Sequence, residues 1–335
     1  MDPSTAWKEL VSDGEQARFE VFAAQLVELQ KQRATDGRTG RALHRKGTGG
    51  FEARFEVADH LPDAARHGLF ATPGTYDAYV RFSNGAGEVA SDTVRDVRGI
   101  AVKVMGVPGK KVLGTATTQD FLAILSSSIP FQTADQFAAL VWATRSKALA
   151  LPRLIGAFGP LGAMRILRRL LAGRERPFAS LAMQRFYSVL PIQCGPYAAR
   201  FSFASISASA ADRTNGAEFL SIDLANRLRA GEIVYQMSLQ FFVDETRTPI
   251  EDPSVDWPED VSPYVDVARL VVAQQDSSSA RGQRVAEHVD ALSFDPWHAL
   301  EEHRPLGGMM RARKYAYFAS TRQRGAAAEP DGPLP

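Results

Sequence analysis

Two short segments, 41–47 (RALHRKG) and 313–324 (RKYAYFASTRQR), carry side chains that could do chemistry together. The first holds His44, with Arg41 three residues before it. The second sets Arg313, Tyr317 and Arg324 at i, i+4 and i+11. At about 100° per residue on an α-helix, these three fall within an arc of about 40°. Guanidinium groups beside a phenol favour the phenolate, and tyrosinate is one of the known proximal ligands of haem iron. Histidine is the usual proton shuttle near neutral pH. Together the segments read as the two sides of a haem peroxide site. Spacing alone leaves the phenol open, because Arg311, Tyr315 and Arg322 repeat the same pattern. A basic helix with an aromatic stripe would produce it with no site at all.

Such groups need elements to hold them. Residues 14–33 place Phe19, Phe22, Ala23, Leu26 and Leu29 at helical spacing. Glycines at 47–50 lead into an alternating, strand-like stretch at 51–57, and 75–83, 100–107, 197–205, 233–243 and 265–275 also read as strands. Helical patterns occupy 133–147, 162–173, 283–293 and 307–323. In 162–173, Met164, Leu167 and Leu171 form one side and Arg165, Arg168 and Arg169 another, the pattern of an amphipathic helix packed on a barrel; a lipid-surface contact is the alternative. Residues 246–259 form a proline-rich crossing. Short alternating strands with helices late in the chain indicate an α+β fold built on an antiparallel barrel or sheet, not a βαβ series.

The totals bound the function. The chain has 335 residues, 45% of them hydrophobic, which is ample for a substantial core. A net charge of +1 argues against nucleic acid as the main partner. The single cysteine, Cys194, excludes an internal disulfide and a multi-thiolate metal site. No apolar run of 18 residues and no leader pattern are visible, so a cytoplasmic location is expected. A His298…His303 pair lacks the H-E-x-x-H spacing of a zinc site.

Three blocks are similar to the catalase superfamily, in its small catalase-related haem peroxidase branch. The segment 41–47 resembles the distal motif R-x-x-H-x-K-G. The stretches 80–83 (VRFS) and 92–103 (DTVRDVRGIAVK) resemble V-R-F-S…D-T-x-R-D-x-R-G-x-A-x-K, and 313–324 resembles the proximal R-x-x-x-Y-x-x-T-x-R-x-R helix, with Ser320 at the threonine position. The resemblance implies an eight-stranded antiparallel β-barrel with surrounding helices and a buried haem b pocket. The chain then divides into an N-terminal helical segment at 1–34, the haem domain at 35–325 that the resemblance covers and, from its Gly/Ala/Pro-rich composition, a disordered tail at 326–335. By motif position, His44 is the distal acid/base and Ser83 orients it. Tyr317 is the iron ligand with Arg313 holding it as phenolate, since only that register also aligns Ser320, Arg322 and Arg324. Arg41, Arg81 and Arg324 neutralise the haem propionates, and Phe131 stacks on the haem.

The pattern also departs from that family. The distal asparagine of G-N-N-T-P is missing; the matching stretch is 114–121 (GTATTQDF), where Thr115 is the nearest stand-in. Asn84-Gly85 replaces Thr-Val, which is expected to open the channel to larger peroxides. These features imply a peroxidase acting on hydrogen peroxide or organic hydroperoxides, with weak catalase activity. The alternatives are a fatty-acid hydroperoxide lyase or isomerase, allene-oxide-synthase-like, and a haem-binding protein without turnover. The implied partners are a peroxide substrate and a separate electron donor, in a monomer or homodimer.

Overall fold

The computed structural model describes residues 2–35, 37, 39–143, 145–172, 178–206 and 216–334. Its centre is an antiparallel sheet closed on itself. The strands are β1 (Gly47–Val57), β2 (Gly74–Asn84), β3 (Arg98–Val104), β4 (Gln119–Ile124), β5 (Arg185–Tyr187), β6 (Ile192–Cys194), β7 (Tyr197–Ser205), β8 (Ile233–Phe241) and β9 (Val265–Val272). They follow the order β5-β4-β3-β2-β1-β9-β8-β7-β6, and β5 also pairs with β7. β5 and β6 occupy successive stretches of the same edge of β7. They are therefore one stave interrupted at 188–191, where Val189 adopts a positive φ of 60°. The result is a closed eight-stave barrel, as the α+β reading expects.

Strand alternation explains the core. Phe51, Ala53, Phe55 and Val57 of β1 point inward with Val80 and Phe82 of β2, Ile100 and Val102 of β3, Phe121 of β4 and Phe201 and Phe203 of β7. Period-2 patterning requires the intervening residues to point out. Those outward positions are buried only where something covers them. Tyr79, for example, lies under α5 (Ala280–Ala291) with Val285 and Val289. Gly50 permits that approach, since a Cβ there would lie 2.9 Å from Val289 Cβ.

Helices α1 (Glu15–Gln32) and α6 (Gly308–Arg324) pack on one another, with α2 (Ala134–Ala143) beside both. α3 (Ala150–Ala172) follows α2. α4 (Phe219–Ala230) buries Leu220, Leu224 and Leu228 in the main core. Among the described residues, no helix is long and apolar enough to cross a membrane.

Three expectations change. The 1–34 segment is not a separate unit: Arg311 of α6 donates to Glu9 and Glu15, both at 2.7 Å. The stretch 326–334 is not a loose tail. Glu329 accepts from Lys103, Thr118 Oγ1 (2.8 Å) and Ser293 Oγ (2.7 Å), and Leu334 N donates to Tyr79 Oη at 2.7 Å. A composition rich in Gly, Ala and Pro hides one carboxylate whose buried cationic partner lies more than 200 residues away. Residue 335 lies outside the described residues.

The third change is in α3, where the apolar stripe is not the packed face. Ala163 and Ile166 are buried, while Met164 and Leu167 are exposed. Helix α3 also starts 12 residues earlier than the 162–173 pattern suggests and is broken at Gly159 (φ 67°) ahead of Pro160. Leu171 and Arg169 have side chains outside the described set.

Candidate active site

The loop carrying His44 is stitched to the end of β2. His44 N donates to Gly85 O (2.9 Å), Arg45 N to Ala86 O (3.2 Å) and Asn84 N to Lys46 O (3.0 Å). Lys46 Nζ then anchors the loop on Asp92 (2.8 Å) and Glu218 (2.9 Å), and Asp92 also accepts from Asn84 Nδ2 and Leu220 N. The lysine of R-A-L-H-R-K-G and the first aspartate of D-T-V-R-D are thus struts beneath the histidine.

His44 itself has a left-handed backbone (φ 53°), an uncommon state for a residue with a Cβ and one that persists where the surroundings impose it. Its ring lies against Gly99 of β3, where a Cβ would come within 2.8 Å of Cε1. Nδ1 and Ser83 Oγ are 3.0 Å apart. Among the described residues Nε2 has no hydrogen-bond partner. The residue as a whole is half-buried, and its ring lies deep in the protein. Burial, with Arg81, Arg313 and Arg41 nearby, lowers its pKa to about 3. The imidazole is therefore neutral at physiological pH and able to accept a proton.

Three arginines converge nearby from distant parts of the chain. Arg41 and Arg81 both donate to Asp290 Oδ1, at 2.9 and 3.0 Å. Arg41 and Arg324 both donate to Leu292 O, at 2.8 and 2.6 Å. Asp290 stands in the last turn of α5 and is the one carboxylate in this group. Its pKa is lowered against its own burial by Arg81 and Arg41. Burial, then repulsion from Arg81 and Arg324, holds Arg41 well below the usual arginine range; Arg81 is lowered chiefly by burial. Arg324 is lowered to about 10, again with burial the leading cause. Three guanidinium groups, two of them deeply buried, against one carboxylate that is itself largely exposed leave a surplus of two positive charges. Buried charge of this kind needs compensation.

On α6 the two tyrosines have different partners. Arg313 donates to Tyr317 Oη at 2.7 Å, with its guanidinium carbon 5.0 Å from the ring centre. Arg311 makes no such bond to Tyr315; it is committed to Glu9, Glu15 and Glu251. Tyr315 packs on Phe19, with ring centres 6.2 Å apart. Tyr317 lies instead in the cluster of Phe22, Leu26 and Ala316, together with Leu43 next to His44. Phe131 is buried and meets Phe137 edge-on at 5.6 Å.

Two sequence expectations do not survive. Thr115 cannot assist His44: it is exposed in the loop before β4, whereas His44 sits where Gly99 pairs with Ile124 at the far end of β4. Five rungs of strand, roughly 17 Å at 3.3 Å per residue, separate the two ends. Residues 125–128 (LSSS) are the ones beyond β4 at the His44 end. Nor does Gly85 open a gate. A Cβ there would meet Val97 O at 2.9 Å and Val97 Cβ at 3.2 Å, so Val97 fills the space.

Sequence reasoning missed Asp290, which has no motif around it. It also missed the buried group of Lys103, Asp120, Glu329 and His298. Asp120, His298 and Glu329 offer ligand atoms within 4.8 Å of one another, but Lys103 Nζ already lies 2.8 Å from Asp120 and bonds Glu329. That ammonium supplies the cation, and the group is an ion-pair lock.

The donor set fits a haem. The surplus of two positive charges matches two propionates, a phenol under a guanidinium supplies an oxygen ligand, and a neutral imidazole stands among the same arginines. Comparison with known proteins agrees in fold. The catalase family model matches residues 8–113. The structure is similar to catalase A from Saccharomyces cerevisiae, with a TM-score of 0.68 and 14% identity over 97% of this chain and 67% of that one. A fungal catalase gives 0.64 and 15% over 98% and 66%, and a bacterial catalase 0.63 and 16% over 97% and 63%. The chain thus spans about two thirds of the length of these catalases. No curated protein matches its sequence. The catalase family model thus covers the N-terminal part of the chain, and the fold over nearly its whole length is that of the catalases.

Proposed function

We propose that this chain is a haem-dependent peroxidase reducing hydrogen peroxide or organic hydroperoxides, with weak catalase activity. The observation that carries the reading is His44: a neutral imidazole with Nδ1 fixed on Ser83, Nε2 unengaged, and arginines on its flank. In this reading Arg41, Arg81 and Arg324 hold the propionates of haem b, Tyr317 ligates the iron, Arg313 keeps that oxygen anionic and Phe131 packs on the ring. The haem would supply an iron that binds peroxide and takes part in O–O cleavage.

The protein's own contribution is proton movement and position. His44 Nε2 accepts the proton of the incoming peroxide and returns it to the departing oxygen, so that water or alcohol leaves. Ser83 keeps the ring from turning. Val97 and Asp96 close the wall beside the loop at Gly85. No asparagine occurs in 125–128, where one could reach the His44 end of the barrel, and this supports weak oxidation of a second hydrogen peroxide. Electrons then come from a separate donor.

The test is His44→Ala in haem-reconstituted protein. The expected result is retained haem absorbance with peroxide cleavage lowered by about 10²–10⁴-fold, the range of general acid–base catalysis. Unchanged cleavage would reject the role of His44. A hydrogen peroxide dismutation rate equal to that of true catalases would reject the specificity.

A further inference from the structure

We infer that the outer face of α3 docks on an anionic phospholipid surface. Beyond its break at Gly159, the helix turns Leu161 (82% exposed) and Met164 (59%) to solvent, with Leu167 at their edge. At about 100° per residue, Arg165 and Arg168 fall on the same side as Leu161, opposite the buried Ala163 and Ile166. Before the break, Leu151 and Ile155 are exposed as well. This is apolar surface that an ordinary packed helix would have turned inward.

Charge decides the occupant. Residues 136–174 contain seven arginines and lysines and no aspartate or glutamate, in a chain whose net charge is only +1. A partner must therefore be apolar and anionic at once, over a face that needs no specific pocket. The boundary of a bilayer containing acidic lipids meets both conditions: leucine and methionine enter the acyl edge while arginine stems snorkel to the phosphates. None of these residues belongs to the haem-site set, so this inference stands or falls apart from the peroxidase reading.

The experiment is co-sedimentation of the full chain with phosphatidylcholine vesicles, with or without phosphatidylglycerol. Binding is expected only to the anionic vesicles and should weaken as salt is raised. Arg165→Glu with Arg168→Glu should lower the apparent affinity by roughly 20-fold or more, given about 1 kcal/mol for each basic residue at such a surface. Leu161→Ser with Met164→Ser should also release the protein, while both variants keep the haem spectrum and peroxide turnover of the parent. Absence of binding, binding untouched by both variants, or a self-associated chain that these variants render monomeric without any vesicle binding would each overturn the inference.

Discussion

Asp290→Asn should destabilise the haem-free protein more than the haem-loaded one. The substitution keeps the shape of the side chain and removes the only carboxylate among the described residues bonded to Arg41 and Arg81, at 2.9 and 3.0 Å. Hydrogen bonds to charged groups contribute about 1.5–3 kcal/mol each when sheltered. Asp290 exposes 62% of its side chain, so water screens it and a value near 1 kcal/mol per bond is appropriate. The sum is about 2 kcal/mol. An unfolding entropy of about 2.1 cal/mol/K per residue gives about 0.7 kcal/mol/K for a chain of 335 residues. The haem-free melting temperature should therefore fall by about 3 °C. Once propionates neutralise the same guanidinium groups, the aspartate is one of several partners and the fall should shrink to about 1 °C. Differential scanning fluorimetry on both forms decides it. Equal falls would mean that the arginines do not meet the propionates, and no fall in the haem-free form would mean that Asp290 does not hold them.

Gly99→Ala places a Cβ within 2.8–2.9 Å of Cε1 and Nδ1 of His44; displacing the ring should cost about 10²-fold in peroxide cleavage with haem binding retained, measured by stopped-flow absorbance. Glu329→Gln should lower stability by about 1–3 kcal/mol in thermal melts and make the C-terminal stretch sensitive to protease, because Lys103, wholly buried, loses one of two carboxylates. Acid should destabilise the fold before carboxylates titrate. His44 and His303 are held neutral, chiefly by burial, with pKa values of about 3 and about 4, so below pH 6.5 the unfolded chain binds two more protons. Asp295, raised to about 6 by burial, offsets one of them below pH 6. Stability should drop by about 2 kcal/mol from pH 6.5 to 5, and a flat or rising melting temperature over that range would contradict this.

The barrel was legible because alternation and motif blocks coincide. Strands at 197–205 and 265–272 stand where period-2 patterning puts them. β4, β5 and β6 were not legible: β4 was read only as part of the polar 114–121 stretch, and β5 and β6 have three residues each, with the stave bending at Val189. The motif residues themselves came out in two kinds. His44 meets Ser83, Arg41, Arg81 and Arg324 share Asp290 and Leu292 as acceptors, and Arg313 meets Tyr317, while Lys46, Asp92 and Lys103 serve as struts. Sequence shows residue identity but not which buried partner a charge finds. That is why Asp290 and Glu329 escaped notice: each acts through a pairing more than 200 residues away. The Thr115 assignment failed for a related reason. Matching a short polar string ignores which end of a hairpin it occupies, and register places it at the wrong end.

The most direct measurement is the absorption spectrum of haem-reconstituted protein beside its Tyr317→Phe and Tyr315→Phe variants. The account predicts a ferric Soret band with tyrosinate-type visible bands, lost or shifted in Tyr317→Phe and kept in Tyr315→Phe. No haem band in the parent protein, or a band that survives Tyr317→Phe unchanged and disappears in Tyr315→Phe, would contradict it.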